Sequence, residues 1–154
     1  MPFRRDLPRT LAHPKIQKFL AICDDLSESP IINAEHIKST RFLSFLDSIF
    51  ILRWDKKEAD FKYHYWGSRV ARAYDAEPTG MHLRSGPQHE FTEKFIAMHL
   101  EAMTEKKRIF LGGNLDWLDK EFRTWDQVTM PLERDGIINE TLTYIQFNLT
   151  DLSL

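Results

Sequence analysis

The dipeptide Asp135-Gly136 constrains the fold of this chain most strongly, because it lies between two strand-like segments at about residues 121–131 and 139–149. An Asp-Gly pair favours the tight turn of a two-residue β-hairpin, in which both central residues adopt a positive φ. A third strand-like segment, at about residues 108–117, precedes them. Three successive strands with short connections predict an antiparallel sheet in this part of the chain.

Two further strands are predicted earlier, before and after a polar turn at residues 56–60. Residues 48–54 form a nearly continuous apolar run, and residues 61–66 form an aromatic run that ends at Gly67. In the second of these strands, alternation assigns Phe61, Tyr63 and Tyr65 to one face and Lys62, His64 and Trp66 to the other.

Helical periodicity indicates an amphipathic helix from Leu11 to about Leu26 and a longer one over about residues 91–107. Short helices are expected between them, the first of which runs to about Thr40 with Asn33 as its N-cap. Two strands, a helical connection and three strands predict an α+β fold. We expect a five-stranded antiparallel sheet with helices on one face and the N-terminal helix covering the other. The chain length of 154 residues favours one domain, taken as residues 11–150 after an N-terminal arm of residues 1–10.

Composition excludes several classes of function. The net charge of −2 provides no basic surface for nucleic acid. A single cysteine, Cys23, cannot form an internal disulfide, which favours a reducing cytoplasm. Neither a signal peptide nor an apolar run of about 18 residues is recognisable, so we expect a cytoplasmic protein without a membrane partner.

A set of residues follows a recurring pattern: an aromatic strand, a Gly-Ser step, a short helix, a Thr-Gly turn and, later, an aromatic residue before a Pro-Leu pair and an Asp-Gly turn. These residues are Phe61, Tyr63, Gly67, Ser68, Tyr74, Thr79, Gly80, Trp125, Pro131, Leu132, Asp135 and Gly136. The pattern resembles the PAS domain over about residues 14–149, and in particular the compact standalone PAS-type proteins of alphaproteobacteria. The chain differs from that pattern at His64 and Asp75, where the family usually has arginine and glycine.

The resemblance implies a bacterial sensory or regulatory module for signal transduction, with a ligand pocket between the sheet and the long helix. The candidate pocket residues are Tyr63, Tyr65, Tyr74, His99, Met103 and Trp125. Aromatic walls with a few polar groups suit a small-molecule pocket. The same side chains would equally fill a closed core.

A second set of candidates belongs to an interaction surface. It consists of Phe19, Leu20 and Cys23 on the N-terminal helix with His64 and Trp66 on the second strand. The helix would cover that strand face either within one chain or between two chains. The resemblance favours a homodimer, with output through self-association or through a separate, unidentified effector protein.

Catalytic and cofactor chemistry have little support in the sequence. We find no nucleophile elbow, phosphate loop or zinc-protease motif, and the histidines lack the spacing of a metal site. The resemblance leaves haem ligation by His99 as an option. The alternative function is a small enzyme with a cone-shaped α+β pocket, in which a histidine and an aspartate act as acid and base.

Overall fold

The computed structural model of the protein describes residues 3–5, 13–85, 91–115 and 120–149. The strands are β1 (Phe3–Arg5), β2 (Ile32–Asn33), β3 (Ile49–Asp55), β4 (Asp60–Trp66), β5 (Ile109–Leu115), β6 (Lys120–Arg134) and β7 (Ile137–Leu149). The helices are α1 (Pro14–Leu26), α2 (Ala34–Ile37), α3 (Ser68–Tyr74) and α4 (Thr92–Glu105), with a 3-10 helix at Thr40–Ser48. Within these ranges, no helix has the length and apolar character needed to cross a membrane.

The strands form one sheet in the order β1-β5-β6-β7-β3-β4, and each neighbouring pair is antiparallel. The short strand β2 pairs with β6 in parallel. The prediction of an α+β fold is confirmed. The sheet differs from a purely antiparallel sheet of five strands, because β2 makes it mixed and β1, part of the expected N-terminal arm, extends it at the β5 edge.

Several local signals in the sequence are confirmed by the backbone. Asp135 and Gly136 have φ values of 52° and 77°, as the tight hairpin between β6 and β7 requires. Asn33 caps α2, since its Oδ1 accepts a hydrogen bond from the backbone N–H of Glu35 at 2.8 Å. Gly67 begins the turn into α3, and a Cβ there would overlap the backbone carbonyl of Asp47.

The amphipathic helix α1 covers one face of the sheet within the same chain. Its buried residues pack against Ile49 and Ile51 of β3 and against alternate residues of β6 and β7. The ring of Phe19 stacks on that of Tyr144 in β7, with centroids 4.9 Å apart, and meets Phe42 of the 3-10 helix edge to face. We call this set of residues the α1-side layer.

The opposite face of the sheet is covered by α3 and α4. Val70 of α3 and Ile96 and Ala102 of α4 are buried against Phe61 of β4 and Trp125 of β6. We call this set the α4-side layer. Because side chains alternate along each strand, β3, β6 and β7 contribute to both layers.

A β-bulge in β4 changes the faces that alternation predicts. Between Tyr63 and Tyr65 the register against β3 shifts by one residue, so no residue of β3 lies directly opposite His64. As a result Trp66 lies in the α4-side layer with Phe61 and Tyr63. The predicted faces of Tyr65 and Trp66 are therefore wrong, since periodicity within one strand cannot show a register shift against its neighbour.

The outer edge of β4 is paired with the segment that follows α3. The N–H of Gly80 donates to the carbonyl of Tyr63 at 2.7 Å, and the N–H of Tyr63 donates to the carbonyl of Met81 at 2.8 Å. The N–H of Leu83 donates to the carbonyl of Phe61 at 2.9 Å. This segment satisfies backbone groups that an open sheet edge would expose, and it holds β4 against the α4-side layer.

Candidate functional site

A row of buried polar side chains crosses the centre of the α4-side layer. We call it the polar row, and its members are Gln127, Thr129, Thr141, Thr143 and His99. The first four come from β6 and β7, where they alternate with apolar residues that face α1. Thr129 and Thr143 are directly opposite in the sheet. Strand alternation therefore brings the four strand residues to one face of the sheet. The helix α4 covers that face and contributes the imidazole of His99.

Hydrogen bonds connect the polar row as a chain of three residues and a separate pair. The hydroxyls of Thr129 and Thr143 are 2.7 Å apart, and Gln127 Nε2 lies 3.4 Å from the Thr129 hydroxyl. His99 Nδ1 lies 2.8 Å from the Thr141 hydroxyl. Buried polar groups are costly without such partners. The row is thus stable with these pairs formed, and hydroxyl rotation allows the same groups to bond elsewhere.

His99 is a neutral imidazole in an apolar environment. Its side chain is 2% exposed, and burial lowers its pKa from 6.5 to about 3. The rings of Phe61 and Phe50 lie 5.7 Å and 6.1 Å from it. These surroundings fit a packed hydrogen-bonding histidine and do not fit a haem ligand, because aromatic side chains occupy the space beside the ring. We derive no haem chemistry from it.

An aromatic group lies next to the polar row at the C-terminal end of β4. Trp66 contacts Phe50 and Tyr63, each with centroids 5.2 Å apart, and Tyr74 at 5.6 Å. Tyr74 also meets Phe147 at 5.9 Å. The indole N–H of Trp66 donates to the carbonyl of Ala76 at 2.9 Å, which fixes its orientation. We call Phe50, Tyr63, Trp66, Tyr74 and Phe147 the aromatic group.

Both phenols of the aromatic group stay protonated at neutral pH. Burial raises the pKa of Tyr63 to about 12, and the nearby carboxylate of Asp60 adds to the effect. Burial also raises the pKa of Tyr74 well above its ordinary value, with a smaller contribution from Tyr63. The phenols are therefore hydrogen-bond donors at the border of an apolar layer.

The α4-side layer brings together most of the predicted pocket residues. Those found in it are Tyr63, Tyr74, His99, Met103 and Trp125. Tyr65 is the exception, since it lies on the other face, is 38% exposed and donates its hydroxyl to the carbonyl of Leu46 at 2.9 Å. The sequence interpretation missed the polar members of β6 and β7. The available signal was that Thr141 and Thr143 are separated by one residue and so point to the same face of a strand.

The predicted interface residues do not share one face. Phe19, Leu20 and Cys23 are buried in the α1-side layer of their own chain. Trp66 lies in the opposite, α4-side layer, because the bulge in β4 shifts the register of the strand at His64. His64 is exposed at the bulge, with Nε2 3.2 Å from Arg53 Nη2, and partial burial followed by the Arg53 charge lowers its pKa.

A His–Asp pair occurs at the turn between β3 and β4, away from the polar row. His82 Nε2 lies 2.8 Å from Asp55 Oδ2, and both side chains are about a third exposed, at 28% and 32%. This hydrogen bond lowers the pKa of Asp55. The pair attaches the segment after α3 to β3, and His82 also forms an isolated bridge with Lys62 of β4.

No group of three or more histidine, cysteine, aspartate or glutamate side chains is arranged to hold a metal ion in the ranges that the structure covers. In comparisons with known proteins, no protein-family model, curated protein or solved structure matches this chain. The assignment of function therefore rests on the sequence and on the contacts of the two layers.

Proposed function

We propose that the protein is a cytoplasmic sensory or regulatory module with a PAS-like fold, which binds a small ligand in the α4-side layer. The observation that carries the proposal is the polar row, buried within a layer that is otherwise aromatic and aliphatic. The five strands β5-β6-β7-β3-β4 lie side by side, with helices between β4 and β5. This arrangement supports the PAS-like assignment made from the sequence.

Burying the threonine hydroxyls of the polar row costs stability that apolar side chains at the same positions would not cost. Valine has nearly the same shape as threonine and would fill positions 129, 141 and 143 without a hydroxyl. Burying a hydroxyl costs about 1–3 kcal/mol unless a hydrogen bond compensates it. The hydroxyls of Thr129 and Thr143 compensate each other, and His99 compensates that of Thr141. A ligand with one or two polar groups would take over those bonds, and the aromatic group would contact its apolar part.

The sheet supplies a direct connection from this site to α1. Thr143 belongs to the polar row, and the next residue, Tyr144, stacks on Phe19 in the α1-side layer. A ligand shifts the packing of α1 only as far as it binds one arrangement of β7 better than another. Output would then pass through self-association as a homodimer or through a separate effector protein that binds one position of α1 better than the other.

The alternative of a small enzyme has less support. Asp55 and His82 form a His–Asp pair, and both side chains are only partly buried, at 32% and 28% exposure. A catalytic acid or base is usually shifted toward neutral pKa by burial and neighbours. The pKa of Asp55 is instead lowered, which makes it a weaker base. The pair fits a structural role, and we assign no reaction to it.

Native mass spectrometry of the full chain, purified from its own host, tests the proposal. We expect a small-molecule adduct on the wild type and its loss or marked weakening in Thr143→Val, which removes one hydroxyl of the polar row. The matched control is Thr104→Val on α4, whose hydroxyl is exposed and donates to the Leu100 carbonyl. The same spectra report whether the chain is a monomer or a dimer.

Two results would contradict the proposal. One is a wild-type protein that carries no adduct and whose melting temperature is unchanged by a small-molecule extract of the host. The other is an adduct retained equally by the wild type and Thr143→Val, which would place the ligand outside the polar row.

A further inference from the structure

A cavity lies on the α1 side of the sheet, where α1, the 3-10 helix, α3 and β7 meet. Its volume is about 210 Å³. We call it the basic groove, and its lining residues are Lys15 and Lys18 of α1, Ser44, Phe45 and Ser48 of the 3-10 helix, Arg69 of α3, and Tyr144 and Gln146 of β7. The polar row lies on the opposite face of the same sheet, so the two sites are separate.

The lining of the basic groove carries positive charge and no carboxylate. Lys15 and Lys18 are three residues apart on α1, which places their ammonium groups on the same side of the helix. Neither ammonium has an ion pair with a carboxylate in the part of the chain that the structure describes. The first turn of α1 also contains no acidic residue that would offset them.

Arg69 is only partly neutralised by its neighbour. Its Nε donates to Asp47 Oδ2 at 3.0 Å, which fixes the guanidinium at the edge of the groove. The two Nη groups keep their protons for another acceptor, since an arginine carries five N–H donors. The groove also contains the neutral donors Ser44 and Gln146.

We propose that the basic groove binds a phosphate group, supplied either as inorganic phosphate or as the phosphomonoester of a small molecule. A phosphate carries nearly two negative charges and several acceptor oxygens, which match two ammonium groups, an oriented guanidinium and hydroxyl donors. The cavity is smaller than the roughly 300–1,000 Å³ of pockets that hold drug-sized ligands. The inference does not depend on a ligand in the α4-side layer.

A phosphate in the groove would connect α1 to the sheet. The lysines lie on α1, whereas Tyr144 and Gln146 lie on β7, so one ligand contacts both elements. Ligands that bind only the folded state raise stability by mass action. The phosphate would therefore hold α1 in the docked position that Phe19 and Tyr144 define.

Isothermal titration calorimetry with inorganic phosphate and, separately, with glycerol 3-phosphate tests the inference in a low-salt buffer that contains no phosphate. The groove variant is Lys15→Gln/Lys18→Gln. Glutamine has nearly the helix propensity of lysine, and both lysines are exposed, so α1 remains folded. The matched control is Lys56→Gln/Lys57→Gln, which removes the same charge at the exposed turn between β3 and β4.

We expect saturable binding of at least one probe to the wild type and to the control, and at least tenfold weaker binding to the groove variant. The double substitution removes two of the three cations that line the groove, and their attraction for a phosphate is least screened in a low-salt buffer. The probe that binds more tightly identifies the source of the phosphate.

The inference is overturned if neither probe binds the wild type below about 10 mM. It is also overturned if the groove variant and the control bind with equal affinity, because the phosphate would then lie elsewhere on the protein.

Discussion

The buried imidazole of His99 should make the protein sensitive to mild acid. Its pKa is 6.5 in an unfolded chain and about 3 in the fold, because burial disfavours the charged form. Between these values the unfolded state binds one more proton than the folded state. The free energy of unfolding therefore falls as the pH falls below about 6.5, and this contribution to stability is fully present above it.

The size of the effect at a given pH follows from how far that pH lies below the pKa of His99 in the unfolded chain. At about pH 5 the pH is about 1.5 units below the unfolded pKa, and each unit corresponds to about 1.36 kcal/mol. His99 should therefore remove about 2 kcal/mol of stability between about pH 7.5 and pH 5. With a urea m-value of about 2 kcal/mol per M, the unfolding midpoint should drop by about 1 M.

Urea unfolding followed by tryptophan fluorescence measures this loss, since the chain has four tryptophans and Trp125 is buried beside the polar row. The test variant is His99→Asn, whose amide still bonds Thr141 but does not titrate. We expect it to be less stable at neutral pH and to lose about 2 kcal/mol less than the wild type on acidification. The control His64→Asn changes an exposed histidine and should keep most of the wild-type loss.

The reasoning about burial is refuted if the wild type and His99→Asn lose the same free energy between the two pH values. That result would mean that His99 is protonated in the folded protein, through water or a rearrangement of α4.

Three further predictions concern stability and are checked by thermal and urea unfolding. Gly67→Ala should destabilise the protein by about 1–3 kcal/mol, because its Cβ would overlap a backbone carbonyl of the 3-10 helix. Phe19→Ala should cost about 3–5 kcal/mol and expose α1 to proteolysis, whereas Leu43→Ala, at a side chain that is 65% exposed, should change stability by less than about 0.5 kcal/mol. Glu140→Gln should cost about 1–3 kcal/mol, because this carboxylate is 1% exposed and accepts two hydrogen bonds from Arg134. An unchanged unfolding midpoint in any of the destabilising variants would contradict the contacts described for that residue.

Local sequence signals predicted the elements of the fold better than the contacts between them. The Asp135-Gly136 turn, the Asn33 cap and the apolar face of α1 depend on residues close in sequence, and all three are present. The 3-10 helix was not predicted, because a short apolar segment such as residues 41–47 does not distinguish a helix from a strand. The strand β2 has two residues and depends on pairing with β6, which no local pattern shows.

The candidate site shows the same difference between local sequence signals and contacts between distant residues. Aromatic residues pointed to the α4-side layer, because large aromatics on strands and on an amphipathic helix are usually buried. The threonines of the polar row were missed, because threonine has a high β propensity and is unremarkable in a strand. Their significance depends on contacts between residues far apart in sequence, such as His99 with Thr141. The bulge at His64 likewise depends on the register of β4 against β3.

The two proposed sites meet at consecutive residues of β7, which gives a condition for communication between them. Thr143 belongs to the polar row, and Tyr144 lines the basic groove and stacks on Phe19. Since successive strand residues point to opposite faces, a shift of β7 moves both side chains together. If a ligand in one layer strengthens binding in the other, the second must strengthen the first by the same factor. Equal affinity for phosphate with and without a ligand in the α4-side layer would mean that β7 is too rigid to couple them.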